Sequence, residues 1–233
     1  MRCMDAQQIQ HKLATVLQRV RLAEQKYQRI SDTCELLAVS KTRPPEDLRA
    51  AYAAGQRAFG ENYLQDALDK IEALADLDIE WHFIGPIQSN KTRPIAAHFH
   101  WVHSIDRIKI ARRLSEQRSP ELPPLNICLQ VNVSGEASKS GLAPEALPEL
   151  VNEIAGLPGL TLRGLMAIPA PSAEFNAQRQ PFAQLRELLT ACQLEAPAMT
   201  TLSMGMSADL EAAIAEGATL VRVGTDIFGP RNG

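Results

Sequence analysis

Apolar residues recur at Ile9, Leu13, Val16, Val20, Ala23, Tyr27 and Ile30, in alternating steps of four and three. That spacing lays one apolar stripe along a helix spanning residues 1–30. The stripe predicts a helix packed on the rest of the chain. A coiled-coil partner is the other reading, although about three heptads are few for one. Beyond residue 30, short apolar or β-branched runs alternate with helical stretches. The runs fall at 36–40, 57–60, 80–85, 101–105, 126–133, 160–168, 200–204 and 219–224. The helical stretches include 45–54, 63–75, 108–117, 144–155, 175–192 and 208–216. Glycine and proline mark the joints, at Gly55, Gly85, Pro86, Gly156, Pro169 and Gly217. Continuous apolar runs suit parallel strands buried on both faces. Eight of them alternating with helices predict a closed (β/α)8 barrel of the TIM type with an extra N-terminal helix. A doubly wound open sheet competes, but no GxGxxG follows the first run. No linker rich in Pro, Gly or Ser interrupts the alternation, so residues 1–233 are read as one domain.

Length and charge narrow the picture. A chain of 233 residues accommodates one such barrel. The net charge of −3 gives no bulk positive field for nucleic acid or anionic lipid. No apolar run approaches the ~20 residues of a membrane span, and the polar start MRCMDAQQIQHK has no signal-peptide core. Cys3, Cys34, Cys128 and Cys192 form no CxxC, which argues against a zinc site or a disulfide framework. A reduced, cytoplasmic protein is expected. The basic run Arg107, Lys109, Arg112, Arg113 and Arg118 reads as a solvated helix face, and Trp81 and Trp101 as core residues.

Barrel chemistry gathers at the C-terminal ends of strands. Lys41 closes the first run, where partial desolvation disfavours the ammonium and frees a neutral amine to attack an aldehyde. The plainer reading is a solvated lysine paired with Glu46 or Glu61. SMGMS (203–207) follows the seventh run and opens a helix with Ser207 as its expected N-cap. VRVGTDIFG (221–229) forms the eighth run and its loop. Loops after strands seven and eight commonly make a phosphate site. Gly205 and Gly224 permit close backbone approach, and Ser203, Ser207 and Thr225 carry hydroxyls. Asp209 and Glu211 would repel a dianion and are expected to face away; ordinary turn residues are the alternative. Arg222 sits in an otherwise buried run, aimed either at a ring nitrogen in the mouth or at an internal carboxylate. An amine for an aldehyde, a cradle for a phosphate and a donor for a heterocyclic nitrogen are together what pyridoxal 5′-phosphate (PLP) requires. Arginine only donates, so it favours an unprotonated ring nitrogen and a weak electron sink.

At these residues the chain resembles the pyridoxal phosphate homeostasis protein family, single-domain PLP-binding proteins similar in fold to the barrel domain of alanine racemase. The resemblance is carried by AVSKT (38–42), FGENY (59–63), WHFIGPIQSNK (81–91), HSID (103–106), VNVSGEASKSG (131–141), GLMAI (164–168), LSMGMSADLEAAIAEG (202–217) and VRVGTDIFGPR (221–231). GPIQSNK carries isoleucine where many relatives have leucine. The resemblance implies that Lys41 forms the internal aldimine with PLP and that Ser203, Gly224 and Thr225 hold the phosphate, with the backbone around Met204 and Ser207 nearby. It implies that Arg222 faces the pyridine nitrogen and that Asn62 lies near the ring or its 3′-oxygen.

Fold relatives that racemise or decarboxylate carry a second, β-rich domain, which this sequence is read as lacking. Racemisation normally takes two positioned acid/base groups. Lys41 is one; Tyr63 and His82 are the only other candidates, and both have plain structural readings. The expectation is therefore a PLP carrier acting in intracellular homeostasis, with a weak racemase as the alternative and a PLP-free Schiff-base aldolase as a third. Apo PLP-dependent enzymes are the expected acceptors, Lys139 a candidate for handing the aldehyde on, and a monomer the expected state.

Overall fold

The computed structural model describes residues 4–135 and 140–230. The strands β1 Glu35–Val39, β2 Ala58–Glu61, β3 Glu80–Phe83, β4 Trp101–Ile105, β5 Leu125–Gln130, β6 Leu160–Met166, β7 Thr201–Ser203 and β8 Leu220–Val223 close in chain order into one parallel barrel. β1 pairs with both β2 and β8. The helices are α1 Ala6–Lys26, α2 Pro45–Ala53, α3 Leu64–Ala73, α4 Thr92–His98, α5 Ile108–Gln117, α6 Leu147–Ala155, α7 Phe175–Cys192, α8 Leu210–Ala215 and α9 Thr225–Phe228. The (β/α)8 expectation therefore holds. No described helix is long and apolar enough to cross a membrane.

α1 does more than pack on the barrel. The helix after β8 is a single turn, and α1 occupies the outer-ring position left beside it, against α2, α8 and α9. Ile9, Leu13, Val16, Val20 and Ala23 are buried there. Each of the four larger side chains contributes about 1.5–3 kcal/mol by leaving water. The predicted stripe runs too far: Ile30 is 80% exposed. The helix stops because Gln28 takes a left-handed φ of 54°. Its N–H bonds the Gln25 carbonyl and the N–H of Arg29 bonds that of Glu24, the double bond that ends many helices. The buried Glu24 carboxylate then accepts from the N–H groups of Asp32, Thr33 and Cys34 and aims the chain into β1.

The basic run after β4 also divides differently from expectation. Arg118 is buried, donating to the carbonyls of Ala96, Phe99 and Pro123. Arg112 pairs with Glu153 and Arg107 reaches the Ile87 carbonyl. Trp81 is core, whereas Trp101 is half-buried and stacks on His82. Cys34, Cys128 and Cys192 are buried free thiols.

The barrel lumen is polar for a core. A hydrogen bond between His103 of β4 and Ser203 of β7 spans strands that are not neighbours, so both side chains point inward. Strand register puts Leu37 on the same side as Arg222 and Met166 on the same side as Ser203. His82, His103 and Ser203 have no exposed surface, and Arg222 has almost none.

Candidate functional site

β1 ends at Val39, and the next residues turn out over the mouth. Lys41 is half-buried there, held between two fixed neighbours. The Ser40 hydroxyl donates to Glu61 Oε1 at 2.6 Å. The buried Lys70 ammonium donates at 2.8 Å to the Ser40 carbonyl, to Glu61 Oε1 and to Asp66 Oδ2. Asp66 Oδ2 in turn accepts the Thr42 N–H at 3.1 Å. Thr42 has a φ of 61°, a left-handed conformation uncommon for a β-branched residue. A buried ion-pair cluster thus clamps the chain on both sides of Lys41. Burial pushes the Glu61 carboxyl up against the opposing pull of Lys70. The cation that Glu61 pairs with is Lys70.

One cavity of about 340 Å³ opens at this end of the barrel, lined by Val39, Lys41, Arg43, Asn62, Ile84, Ile168, Met206, Ser207, Ala208, Arg222, Gly224, Thr225 and Gly229. The size lies in the range of small-ligand sites. The structure brings six of the sequence-expected residues together here: Lys41, Asn62, Ser207, Arg222, Gly224 and Thr225. Asn62 Oδ1 is buried with no hydrogen-bond partner among the described residues. The loop of Asn62 sits tight over Gly85, where a Cβ would stand 2.1 Å from the Asn62 carbonyl oxygen. Gly224 lets β8 lie close against β1, since a Cβ there would meet the Val39 carbonyl at 2.9 Å.

Ser203 and Met204 do not line the cavity. Both are fully buried: the Ser203 side chain, at the end of β7, turns into the lumen and bonds His103 and Arg222, and Met204 packs in the hydrophobic core. Ser207 is not the helix cap. α8 begins at Leu210 with Asp209 as its N-cap residue, and Asp209 Oδ1 accepts the Met206 N–H at 2.6 Å. Asp209 stays off the cavity wall, and Glu211 pairs with Lys26 and Tyr27 of the first helix region. Arg222 has no carboxylate partner among the described residues: Nη1 donates to Ser203 Oγ at 2.8 Å and Nη2 to the Ala167 carbonyl at 2.9 Å. Burial pulls its guanidinium down to about 10, still a cation at neutral pH. Lys139 lies outside the described residues.

Two contributors escaped the sequence reading. Arg43 donates to the Gly229 and Pro230 carbonyls, closing the wall beyond α9. Arg19 of α1 reaches across to the loop after β7 and to α9, donating to the Ser207 carbonyl at 2.9 Å and to Asp226 Oδ2 at 2.6 Å. Neither had a local signal; each depends on contacts about 190 residues apart.

Residues 7–232 match the family model described as alanine racemase, N-terminal domain. The pyridoxal phosphate homeostasis protein of Pseudomonas aeruginosa is 64% identical over 224 residues, 96% of each chain. The chain belongs to the pyridoxal phosphate homeostasis protein family. The family member of Escherichia coli is 50% identical over 227 residues, covering 96% of this chain and 97% of its own. Among solved structures, PipY of Synechococcus elongatus, with PLP bound, aligns at a TM-score of 0.83 and 38% identity over 95% of this chain and 100% of that one. Alanine racemase of Corynebacterium glutamicum aligns at a TM-score of 0.71 and 15% identity over 62% of that chain, a likeness of fold.

Proposed function

We propose that this protein binds PLP in the mouth cavity and holds it for cellular use, with no amino-acid turnover of its own. The observation that carries the reading is the meeting of Lys41, Asn62, Arg222, Gly224 and Thr225 on one cavity wall, with a buried Asn62 oxygen that lacks a donor among the described residues. PLP supplies an aldehyde that an amine bonds reversibly and a conjugated ring that accepts negative charge. Lys41 is the residue that bonds the aldehyde. Asn62 Oδ1 accepts from the hydroxyl beside it. Arg222, a donor only, faces the ring nitrogen and keeps that nitrogen an acceptor. Ser207, Thr225 and the first N–H groups of α9 hold the phosphate; those N–H groups have no upstream carbonyl within their own helix.

The carrier reading is supported by where the second acid/base candidates lie. His82 is buried in the lumen with both ring nitrogens hydrogen-bonded, and Tyr63 is an exposed residue at the start of α3; neither lines the cavity. Buried free thiols fit a reducing cytoplasm. The protein works as a monomer that passes PLP to apo enzymes.

The deciding experiment is an absorbance spectrum of purified, PLP-loaded protein before and after borohydride, followed by peptide mapping. A visible band lost on reduction, with a pyridoxyl group on Lys41, is expected. A colourless protein, or a label that bypasses Lys41, overturns the binding reading. Robust conversion of L-amino acids to D-isomers overturns the carrier reading and favours a racemase.

A further inference from the structure

Arg222 is one end of a hydrogen-bonded chain that crosses the barrel interior. Its Nη1 lies 2.8 Å from Ser203 Oγ. Ser203 Oγ lies 2.8 Å from His103 Nδ1. His103 Nε2 lies 2.9 Å from His82 Nδ1. His82 Nε2 lies 2.6 Å from Glu80 Oε1. The chain therefore leaves the cavity wall at β8, passes through β7, β4 and β3, and ends on a carboxylate whose side chain is 47% exposed.

The chemistry of the two ends fixes every proton between them. A carboxylate only accepts, so His82 donates from Nε2. A neutral His82 then accepts at Nδ1, so His103 donates from Nε2. A neutral His103 accepts at Nδ1, so the Ser203 hydroxyl donates to it. Ser203 Oγ is left to accept from Arg222, which only donates. All four bonds point the same way with no group unmatched. Full burial of both rings favours their neutral forms. The alternative, a doubly protonated His82, would place a cation in the lumen and turn the chain's direction at His103.

We propose that Glu80, His82, His103 and Ser203 act as positioning residues for Arg222: a one-way chain of donors that ends on the Glu80 carboxylate holds the guanidinium toward the cavity and sets how strongly it donates to a ring nitrogen there. Without the chain, Arg222 has one carbonyl, that of Ala167, to fix its plane. With it, a negative charge at the far end of the barrel polarises each bond in turn. The role toward a ring nitrogen rests on the PLP reading; the proton arrangement and the coupling to Arg222 do not.

Nitrogen-15 NMR of the ligand-free protein at neutral pH tests the arrangement. His82 and His103 should both appear as neutral rings protonated at Nε2. A protonated ring, or Nδ1–H on either residue, overturns the proposal. Glu80→Gln keeps the size and removes the charge, and its half-exposed site lets the barrel fold. It should shift the Arg222 guanidinium resonances and speed PLP release about two- to tenfold, the span of one weakened hydrogen bond. In Ser203→Ala the same Glu80 change should move neither quantity, since the chain is already cut. A Glu80 effect that persists in the Ser203 variant, or no effect on Arg222 in either background, overturns the proposal. Correct NMR signals in a protein that fails to bind PLP would sink the ligand reading and leave the chain standing.

Discussion

Lys70 is the residue most easily misread. With Asp66 four positions earlier on a helix it looks like an ordinary surface pair, worth a few tenths of a kcal/mol. In the fold its ammonium is buried and serves Ser40, Glu61 and Asp66 together. Removing one partner of a buried ion pair strands the other, at a cost of about 3–5 kcal/mol. Lys70→Met should lower unfolding free energy by about that amount in a denaturant titration, and loosen the backbone on both sides of Lys41, so that aldehyde capture slows as well. Unchanged stability would show that Glu61 has found another partner. Ile30 argues the opposite way. Its place in the periodic stripe suggests core, yet it lies beyond the helix end and in solvent. Ile30→Ser should move stability by less than about 0.5 kcal/mol, which a melting curve can check. The candidate site was legible where a residue type carries its own chemistry, as Lys41, Arg222 and Thr225 do. It was not legible where a few steps along SMGMS separate a side chain in the lumen, that of Ser203, from one in the cavity wall, that of Ser207.

At the scale of elements, the strands were plain in the sequence because both of their faces are buried, leaving short unbroken apolar runs. Runs 101–105, 108–117 and 175–192 coincide with β4, α5 and α7. Periodicity marks neither α4, which is seven residues long with Pro94 in its first turn, nor α9, a single turn with no period. The end of α1 was missed because its left-handed residue is Gln28, where glycine is the usual signal. α1 also braces two segments of the cavity wall through Arg19. Arg19→Met keeps the aliphatic stem but frees the Ser207 carbonyl and Asp226. Because the pair is partly exposed, stability should fall by no more than about 1 kcal/mol, while PLP release accelerates. Equal release rates in wild type and variant would dismiss the brace.

For the whole molecule, the polar lumen gives stability a definite pH dependence. Burial holds His82 and His103 below the usual histidine range, His103 far below it. The unfolded chain takes up protons on these rings below about pH 6.5, and the folded chain does not. Folding free energy contributed by the two histidines is therefore fully present above that pH and is lost as pH falls below it. The hydrogen bond from His82 holds the Glu80 carboxyl below its ordinary value. That contribution is present above the unfolded carboxyl range and is lost as pH falls through the folded value, adding a second loss at lower pH. Melting temperature should fall steadily from pH 6.5 toward 5, and His103→Gln should flatten the upper part of that slope; a wild-type curve level over this range would contradict the buried neutral rings.

Arg19 touches the loop after β7 and the helix after β8 at once, and those two segments also wall the cavity. Whatever stiffens them at the mouth must, by the reciprocity of linked equilibria, slow the fraying of the N-terminal helix on the outside of the barrel. Amide hydrogens along α1 should then exchange with deuterium more slowly when the cavity is filled, which makes a helix that never meets the ligand a reporter of its occupancy.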